Sequence, residues 1–454
     1  MPTAGKAIRA ARRNAPALSA TRAHSNSAIT EAPLKILYIS QYFPPEMGAP
    51  AARVSELSHH WAATGHDVTV LTGFPNHPDG KLRPEYRKPF RGLVFREQVG
   101  LVNVVRSWLL PFPNRKAYER MLNYGSFCLS AGVTGSFLPR PDLVIATSPQ
   151  LLVGLSGWWV AKIKRIPFVL EVRDLWPESL AAVGAGNANS FLYRILHKIA
   201  GFLYRKARHI VVVTPAFRDH LIRHWRVSPD KISVVHNGVE TDLFRPLQSE
   251  GIRKRLFLDE RFVVSYIGTV GMAHGLETLL EAAQRLQTSA PEVLFLLVGE
   301  GAERERIQAI TAAKELTNVR FVTQQPREKI PLYISASDVC LVLLKKSEVF
   351  DTVIPTKMLE FMSCAKPVVL GVGGQARRIL EASRAGLCIE PEYPDALCDA
   401  IERLRTQDYL RESLGQNGRE YILRNLSRER TAADYLNVLL GILESRTTSK
   451  KAAA

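Results

Sequence analysis

The stretch Arg261–Gly275, RFVVSYIGTVGMAHG, decides how the chain is organised. Its first part, Arg261–Ile267, is a short run apolar on both faces, which reads as a buried strand of a parallel sheet. Its second part, Gly268–Gly275, sets three glycines between that strand and a helical period opening at Leu276. Going forward, Val293–Val298, a helix near Ala302–Glu315, Val319–Thr323, Asp338–Leu344 and Pro367–Leu370 continue the alternation. Going backward, an earlier series has the same rhythm: strand Lys35–Ser40, helix Ala49–Thr64, strand Asp67–Thr72, then Asp142–Thr147, Pro167–Val172, a helix near Ser190–Ala207, and His209–Thr214. Between the series lies the polar connection Asp242–Glu260, which Arg245-Pro246 opens. An α/β protein follows, with two doubly wound Rossmann-like domains facing a cleft and ligands at the carboxyl ends of their strands. The expected division is a disordered basic tail over 1–33, a first domain over 34–245, a second over 246–425 and a closing helix over 426–446.

Composition excludes little but points somewhere. The 454 residues are 46% hydrophobic and 23% charged, ordinary for a globular chain, with a formal net charge of +17 that favours an anionic partner. Nucleic acid is not expected, because the basic residues are dispersed and no recognition motif accompanies them. Five scattered cysteines, Cys128, Cys340, Cys364, Cys388 and Cys398, lack metal-ligand spacing and read as reduced thiols of a cytoplasmic protein; no metal is expected. The tail carries Lys6, Arg9, Arg12, Arg13 and Arg22 without the apolar core of a secretory signal. Met121–Pro139 and Leu143–Ala161 are uncharged, yet their glycines, hydroxyls and Pro149-Gln150 argue against spanning helices.

Five motifs sit where a parallel sheet delivers chemistry. Tyr42–Arg53, YFPPEMGAPAAR, follows the first strand, and Gly48 opens a helix whose free amides suit phosphate or sugar oxygens. Glu171–Ser179, EVRDLWPES, brings Arg173 and Asp174 out at a strand end, where Arg173 suits a donor phosphate and Asp174 a sugar hydroxyl; an Arg–Asp pair capping the next helix is the plainer alternative. The three glycines of Gly268–Gly275, Gly268 first, permit close backbone approach to a diphosphate, and Gly299-Glu300-Gly301 repeats the arrangement where a base would lie. In Asp351–Pro367, DTVIPTKMLEFMSCAKP, Pro355 and Thr356 start a helix carrying Lys357 and, three residues on, Glu360. Amides plus a lysine suit a diphosphate, and a carboxylate one turn later suits the paired hydroxyls of a ribose; an exposed i,i+3 ion pair is the alternative. His236-Asn237-Gly238 by itself reads as a tight turn.

Together these motifs, with TGFPNHPDG (Thr72–Gly80), HNGVETDLF and PTKMLEFM, resemble glycosyltransferase family 4 from Lys35 to about Leu440, and within it the WbuB-like fucosamine transferases of bacterial surface-polysaccharide synthesis. The resemblance implies a GT-B fold and retaining, metal-independent transfer from a nucleotide sugar, UDP-linked, to a lipid-linked or saccharide acceptor. It assigns the donor to the second domain, with Glu360 on the ribose and Asn237 among the donor contacts. Phe74, Asn76 and His77 fall on the acceptor side, and the last helix, about Thr431–Glu444, crosses back to the first domain. The chain departs from the family in three places. Thr352 stands where the first of two paired glutamates is usual, Thr269 and His274 replace the basic pair of the diphosphate loop, and Arg173 replaces a histidine. Lys357 and Arg173, with the Thr356 and Lys357 amides, are the expected compensation. A nucleotide-sugar 2-epimerase or phosphorylase on the same fold is the nearest alternative, and a basic non-catalytic binding protein the next.

A lipid-linked acceptor would bring the chain to the inner face of the cell membrane. Two segments suit that surface: Phe191–Arg208, with an apolar stripe among basic residues, and Arg106–Arg120, with Trp108, Phe112, Arg115 and Lys116. The stripe of Leu192, Ile195, Leu196, Ile199, Phe202 and Leu203 would equally pack inward as an ordinary amphipathic helix.

Overall fold

A computed structural model describes residues 33–46, 48–77, 80–113, 117–178 and 190–452. The basic tail, apart from Pro33, lies outside the described residues, as do Arg115 and Lys116. From Leu34 onward the chain forms one compact unit built on two sheets.

The first sheet has the order β3-β4-β2-β1-β5-β6-β7-β8. Its strands are β1 (Lys35–Ile39), β2 (Asp67–Gly73), β3 (Val94–Val99), β4 (Val102–Ser107), β5 (Leu143–Thr147), β6 (Phe168–Val172), β7 (His209–Val212) and β8 (Ile232–Val234). All pairings are parallel except β3 with β4, a hairpin the hydrophobic pattern had not suggested. The reason is its position. β3 is an edge strand, none of whose residues is fully buried, and Arg96 and Glu97 keep that edge charged. The second sheet, order β11-β10-β9-β12-β13-β14, is parallel throughout. It consists of β9 (Phe262–Ile267), β10 (Val293–Val298), β11 (Val319–Val322), β12 (Val339–Leu343), β13 (Val368–Gly371) and β14 (Gly386–Cys388).

The order in which strands are added reverses beside β1, which lies between β2 and β5, and beside β9, which lies between β10 and β12. At such points the loops at the carboxyl ends part and leave a crevice. The helices used below are α1 (Ala49–Ala63), α2 (Ala117–Phe137), α3 (Val153–Lys164), α4 (Phe191–Lys206), α5 (Thr356–Ser363) and α6 (Arg428–Ala452). Helices α2, α3 and α4 share one apolar core on one face of the first sheet, through residues such as Phe127, Val160 and Leu203. Helix α1 packs on the opposite face, where α6 joins it.

The closing helix is held to the first sheet by both apolar and polar contacts. Tyr435, Leu439 and Ile442 are buried there, and burial of such side chains stabilises by roughly 1.5–3 kcal/mol each. The Tyr435 ring meets Trp61 edge-on at 5.3 Å, and Trp61 Nε1 donates to the Ala432 carbonyl at 2.9 Å. Among the described residues no helix is long and apolar enough to cross a membrane; Met121–Pro139 is largely α2, a surface helix with one buried side.

Candidate active site in the cleft

Lys357 is the second residue of α5, and its ammonium nitrogen is buried with no hydrogen-bond partner among the described residues. It lies 4.0 Å from the centre of the Tyr266 ring, at the end of β9. A β-carbon on Gly268 would stand 2.9 Å from that nitrogen, so glycine there, at φ +141°, makes room for the lysine. Burial pulls the Lys357 ammonium down to about 7. Burial, with the neighbouring Lys357 charge, also lowers His274, whose ring packs at 5.8 Å on Tyr266. His274 is therefore a neutral wall of this pocket at physiological pH, not a second cation. The Thr269 side chain is exposed, and its carbonyl accepts from Tyr266 Oη at 2.6 Å.

The i,i+3 pair between Lys357 and Glu360 is not formed. Glu360 Oε1 instead accepts from Arg327 Nη1 at 3.0 Å, while Arg327 Nη2 donates to Glu56 Oε1 of α1 at 2.6 Å. Glu56 Oε2 accepts from Arg428 Nε at 2.8 Å, so two acids and two bases form a chain across the cleft. The Arg327 guanidinium also lies over the Phe244 ring at 4.9 Å. Burial pushes the Glu360 carboxyl up against the pull of Arg327. Nothing in the sequence around QQPREKIP marks Arg327, which is 33 residues from Glu360 and 271 from Glu56. Thr352, at the usual place of the other glutamate, is at the cleft as well: its carbonyl accepts from Thr214 Oγ1 at 3.0 Å.

The two glycine loops of the second sheet fit each other. A β-carbon on Gly299, at φ +148°, would stand 1.9 Å from the Gly268 carbonyl oxygen. Val270 N donates to the Glu300 carbonyl at 2.9 Å, which locks the loops together. Glycine at 299 thus serves loop packing directly, whatever lies above it. The Glu300 side chain is partly exposed and pairs with Arg304 at 3.5 Å.

On the first sheet, Arg173 does not pair with Asp174. Its guanidinium donates to the carbonyls of Ala49 at 3.1 Å and Pro50 at 3.4 Å, bracing the start of α1 just after Gly48, and its Nε is buried with no partner among the described residues. Asp174 borders a small cleft with Ser148, Gln150, Trp176 and Tyr204, and burial lifts its carboxyl to about 6. Asn237 accepts from Arg53 Nη1 at 2.8 Å, and Arg53 is itself buried against Glu171 at 2.9 Å. That side-chain oxygen therefore braces the His236–Gly238 turn against α1 rather than standing free.

The three acceptor-side residues part company. Phe74 is fully buried, edge-on to Tyr86 and Phe90, so its ring belongs to the core and does not reach the cleft. Asn76 is buried too, donating to the Phe74 carbonyl and accepting from Asn123. His77 is exposed, its ring 5.4 Å from Tyr42. Glu46, not singled out in the sequence although it lies in the first motif, holds this corner together. Its Oε1 accepts from the amides of Asn76 and His77, both at 3.0 Å, and burial lifts its carboxyl to about 7. A buried carboxylate reading two amides across 30 residues leaves no local pattern in the chain. A larger cleft than the one beside Asp174 lies around Lys35, Asp67 and Arg140 at the amino ends of the strands, where this fold class does not bind its ligands.

Two family models cover this arrangement. Residues 48–238 match the glycosyl transferase 4-like domain, and residues 248–421 match the glycosyl transferases group 1 domain. The chain belongs to the GT-B glycosyltransferases. It is similar to WcaI of Escherichia coli (strain K12), named as a colanic acid biosynthesis glycosyl transferase: 25% identical over 434 residues, covering 90% of this chain and 100% of that protein. Among solved structures it resembles sucrose-phosphate synthase from Thermosynechococcus elongatus, with TM-score 0.70, 23% identity, and coverage of 91% of this chain and 100% of that one. It also resembles Anabaena HepE in complex with UDP-glucose, with TM-score 0.67, 16% identity, and coverage of 90% and 100%. In this glycosyltransferase the two halves are joined through Arg327, which links Glu360 of α5 to Glu56 of α1, and through Thr214, which donates to the Thr352 carbonyl.

Proposed function

We propose that this glycosyltransferase moves a sugar, an N-acetylated deoxyhexosamine or a hexose, from a UDP-linked donor to a lipid-linked or saccharide acceptor in surface-polysaccharide synthesis, with retention of configuration and without a metal ion. One observation carries the reading: an unpaired ammonium is buried at the start of α5, with a carboxylate one turn further along the same helix. A buried cation without a counter-ion is costly, and a site of this kind is relieved by an anion. The first-turn amides of a helix lack partners within it and point at the same place, so Lys357 and the Thr356 and Lys357 amides suit a diphosphate. Glu360 suits the ribose hydroxyls, which would take the place of Arg327 as its partner. That HepE was solved with UDP-glucose supports the choice of donor.

Chemistry then needs charge stabilisation on the leaving diphosphate, which grows as the bond from the anomeric carbon to the diphosphate oxygen breaks. The acceptor hydroxyl oxygen forms the new bond to that carbon, and its proton leaves to a base. Asp174, with its carboxyl near 6, is ionised at neutral pH and suits an acceptor hydroxyl. Arg173 braces the start of α1, and its charge there suits the donor phosphates. The likeness to WcaI, named for colanic acid biosynthesis, supports a polysaccharide setting, and a lipid-linked acceptor there would bring the enzyme to the cytoplasmic face of the membrane.

The test is incubation of the purified protein with radiolabelled UDP-sugars and a bacterial lipid extract, followed by separation of products. Label appearing in the lipid or oligosaccharide fraction supports transfer. Label that stays on the nucleotide but changes sugar identity would assign epimerisation instead, and unchanged donors across the panel would remove the reading.

A further inference from the structure

We propose that the outer side of the α2–α3–α4 layer is a docking surface for the headgroup region of an anionic lipid bilayer. The inference deepens the peripheral membrane setting proposed above, and it stands chiefly on residues of α2 and α3 that had not been assigned to it. On α2, Leu122, Leu129, Val133 and Phe137 are 48%, 73%, 60% and 82% exposed. Their spacing of seven, four and four residues keeps them on one stripe of the helix, opposite Asn123, Phe127 and Ala131, which are buried. At about 1.5 Å per residue the stripe runs roughly 22 Å along the protein surface. Helix α3 widens it with Trp159 and Ile163, 47% and 48% exposed. The two helices are in contact there, because Trp159 Cδ1 lies 3.5 Å from where a β-carbon on Gly132 would stand. Large side chains so exposed and so grouped mark an interaction surface more often than chance scatter does.

Charge selects the occupant. Across α2, α3 and α4 there is one acidic residue, Glu119, against seven lysines and arginines, among them Lys162, Arg194 and Lys198, all exposed. An isologous pair of these faces would set cations against cations, which disfavours a second copy of the chain. An anionic bilayer satisfies both features, with apolar side chains at the acyl boundary and basic ones among the phosphates. The expected lipid-binding stripe of α4 is only partly available: Leu196 and Leu203 are buried, while Phe191 at 72% and Ile195 at 37% exposure extend the surface from its amino-terminal end. The stripe also points to the reaction. Near its start Asn123 bonds to Asn76, and Tyr124 lies 6.5 Å from Trp176 beside Asp174, so a lipid seated on α2 has its headgroup close to the acceptor side of the cleft.

The test is flotation of the full chain with phosphatidylcholine vesicles and with vesicles of phosphatidylcholine and phosphatidylglycerol, for the wild type, L129E/F137E and K162E/K198E. All four substituted side chains are exposed, the two apolar ones by 73% and 82%, and circular dichroism with thermal melting checks each fold. The wild type is expected on the anionic vesicles alone. L129E/F137E should lose at least tenfold in partitioning, and K162E/K198E about fivefold per lysine, the factor equivalent to about 1 kcal/mol. Wild-type levels of binding in both variants would overturn the proposal and assign any vesicle binding to the basic residues before Pro33. So would equal binding to both vesicle types, or a wild-type dimer that L129E/F137E dissolves without changing flotation. UDP titration of the same samples is independent of this surface, so nucleotide binding without flotation rejects the docking face and leaves the transferase reading standing.

Discussion

Arg327 and Glu360 meet at 3.0 Å, and through its second nitrogen the same guanidinium reaches Glu56 on the other side of the cleft. The residue best suited to a donor ribose is therefore paired with a group that ties the second sheet to α1. A ribose that takes Glu360 must compete with that ion pair, and this links donor binding to the contact between the two halves. Replacing Glu360 by alanine should weaken UDP binding by roughly ten- to hundredfold, since hydrogen bonds to a charged group contribute about 1.5–3 kcal/mol. Calorimetric titration decides it, and unchanged affinity removes Glu360 from the site.

Arg327→Met separates competitor from ligand. Glu56 and Glu360 each lose a partner, so the melting temperature should fall, by an amount matching about 1–3 kcal/mol for a partly buried charged hydrogen-bond network. UDP affinity should hold or rise, because Glu360 is freed. A drop in affinity as large as that of Glu360→Ala would make Arg327 a donor contact in its own right.

Lys357 should take up a proton when the diphosphate binds. Its free ammonium is held down to about 7 by burial, and an adjacent diphosphate raises it. UDP affinity should therefore fall as pH rises from about 7 toward the bound-state value, and should not depend on this group below 7. Titrations in buffers of different ionisation enthalpy measure the uptake at pH 8. Lys357→Met should abolish it and lower kcat by at least tenfold, given the size of such charge effects. A kcat within about twofold of the wild type would reject the assignment.

Asp174 predicts the acid limb of the rate profile. Its carboxyl, raised by burial to about 6, accepts a hydrogen bond from a hydroxyl in its ionised form, so kcat/KM should decline as pH falls through about 6. In Asp174→Asn the rate should be low and that limb should vanish. An unchanged limb in the variant would place the titrating group elsewhere.

Glu46 makes a stability prediction with the opposite sign from a salt-bridged acid. Its folded pKa, about 7, exceeds the unfolded 4.5, so its contribution is fully present below the unfolded value and is lost as pH rises through about 7. Glu46→Gln keeps an oxygen for the Asn76 and His77 amides without ever ionising. It should melt higher than the wild type at pH 8 and nearly equal to it at pH 4.5, by differential scanning fluorimetry. A variant less stable at both values would mean that the carboxylate form is needed.

What the sequence determined by itself was everything governed by local periodicity and by backbone chemistry. Buried parallel strands are apolar on both faces, so Lys35–Ile39, Val293–Val298 and their neighbours were legible as strands, and with them the two-sheet architecture. The positions after those strands were legible as well, because a parallel sheet delivers its loops to one end, and there Gly268 meets the Lys357 ammonium. What the tertiary structure decided was partnership. A helical spacing of three offers Lys357 to Glu360, yet the Tyr266 ring at 4.0 Å and an arginine 33 residues upstream separate them. The resemblance likewise offered Phe74 to the acceptor, and spacing offered the whole apolar stripe of Phe191–Arg208 to a membrane, whereas Phe74 and much of that stripe went to the core. The exposed apolar side instead belongs to α2, whose low contrast between faces hides it in sequence. Burial and long-range ion pairs depend on which elements pack together, and no local pattern carries that information. Periodicity tells which side of an element is apolar; only packing tells which apolar side is left for something else.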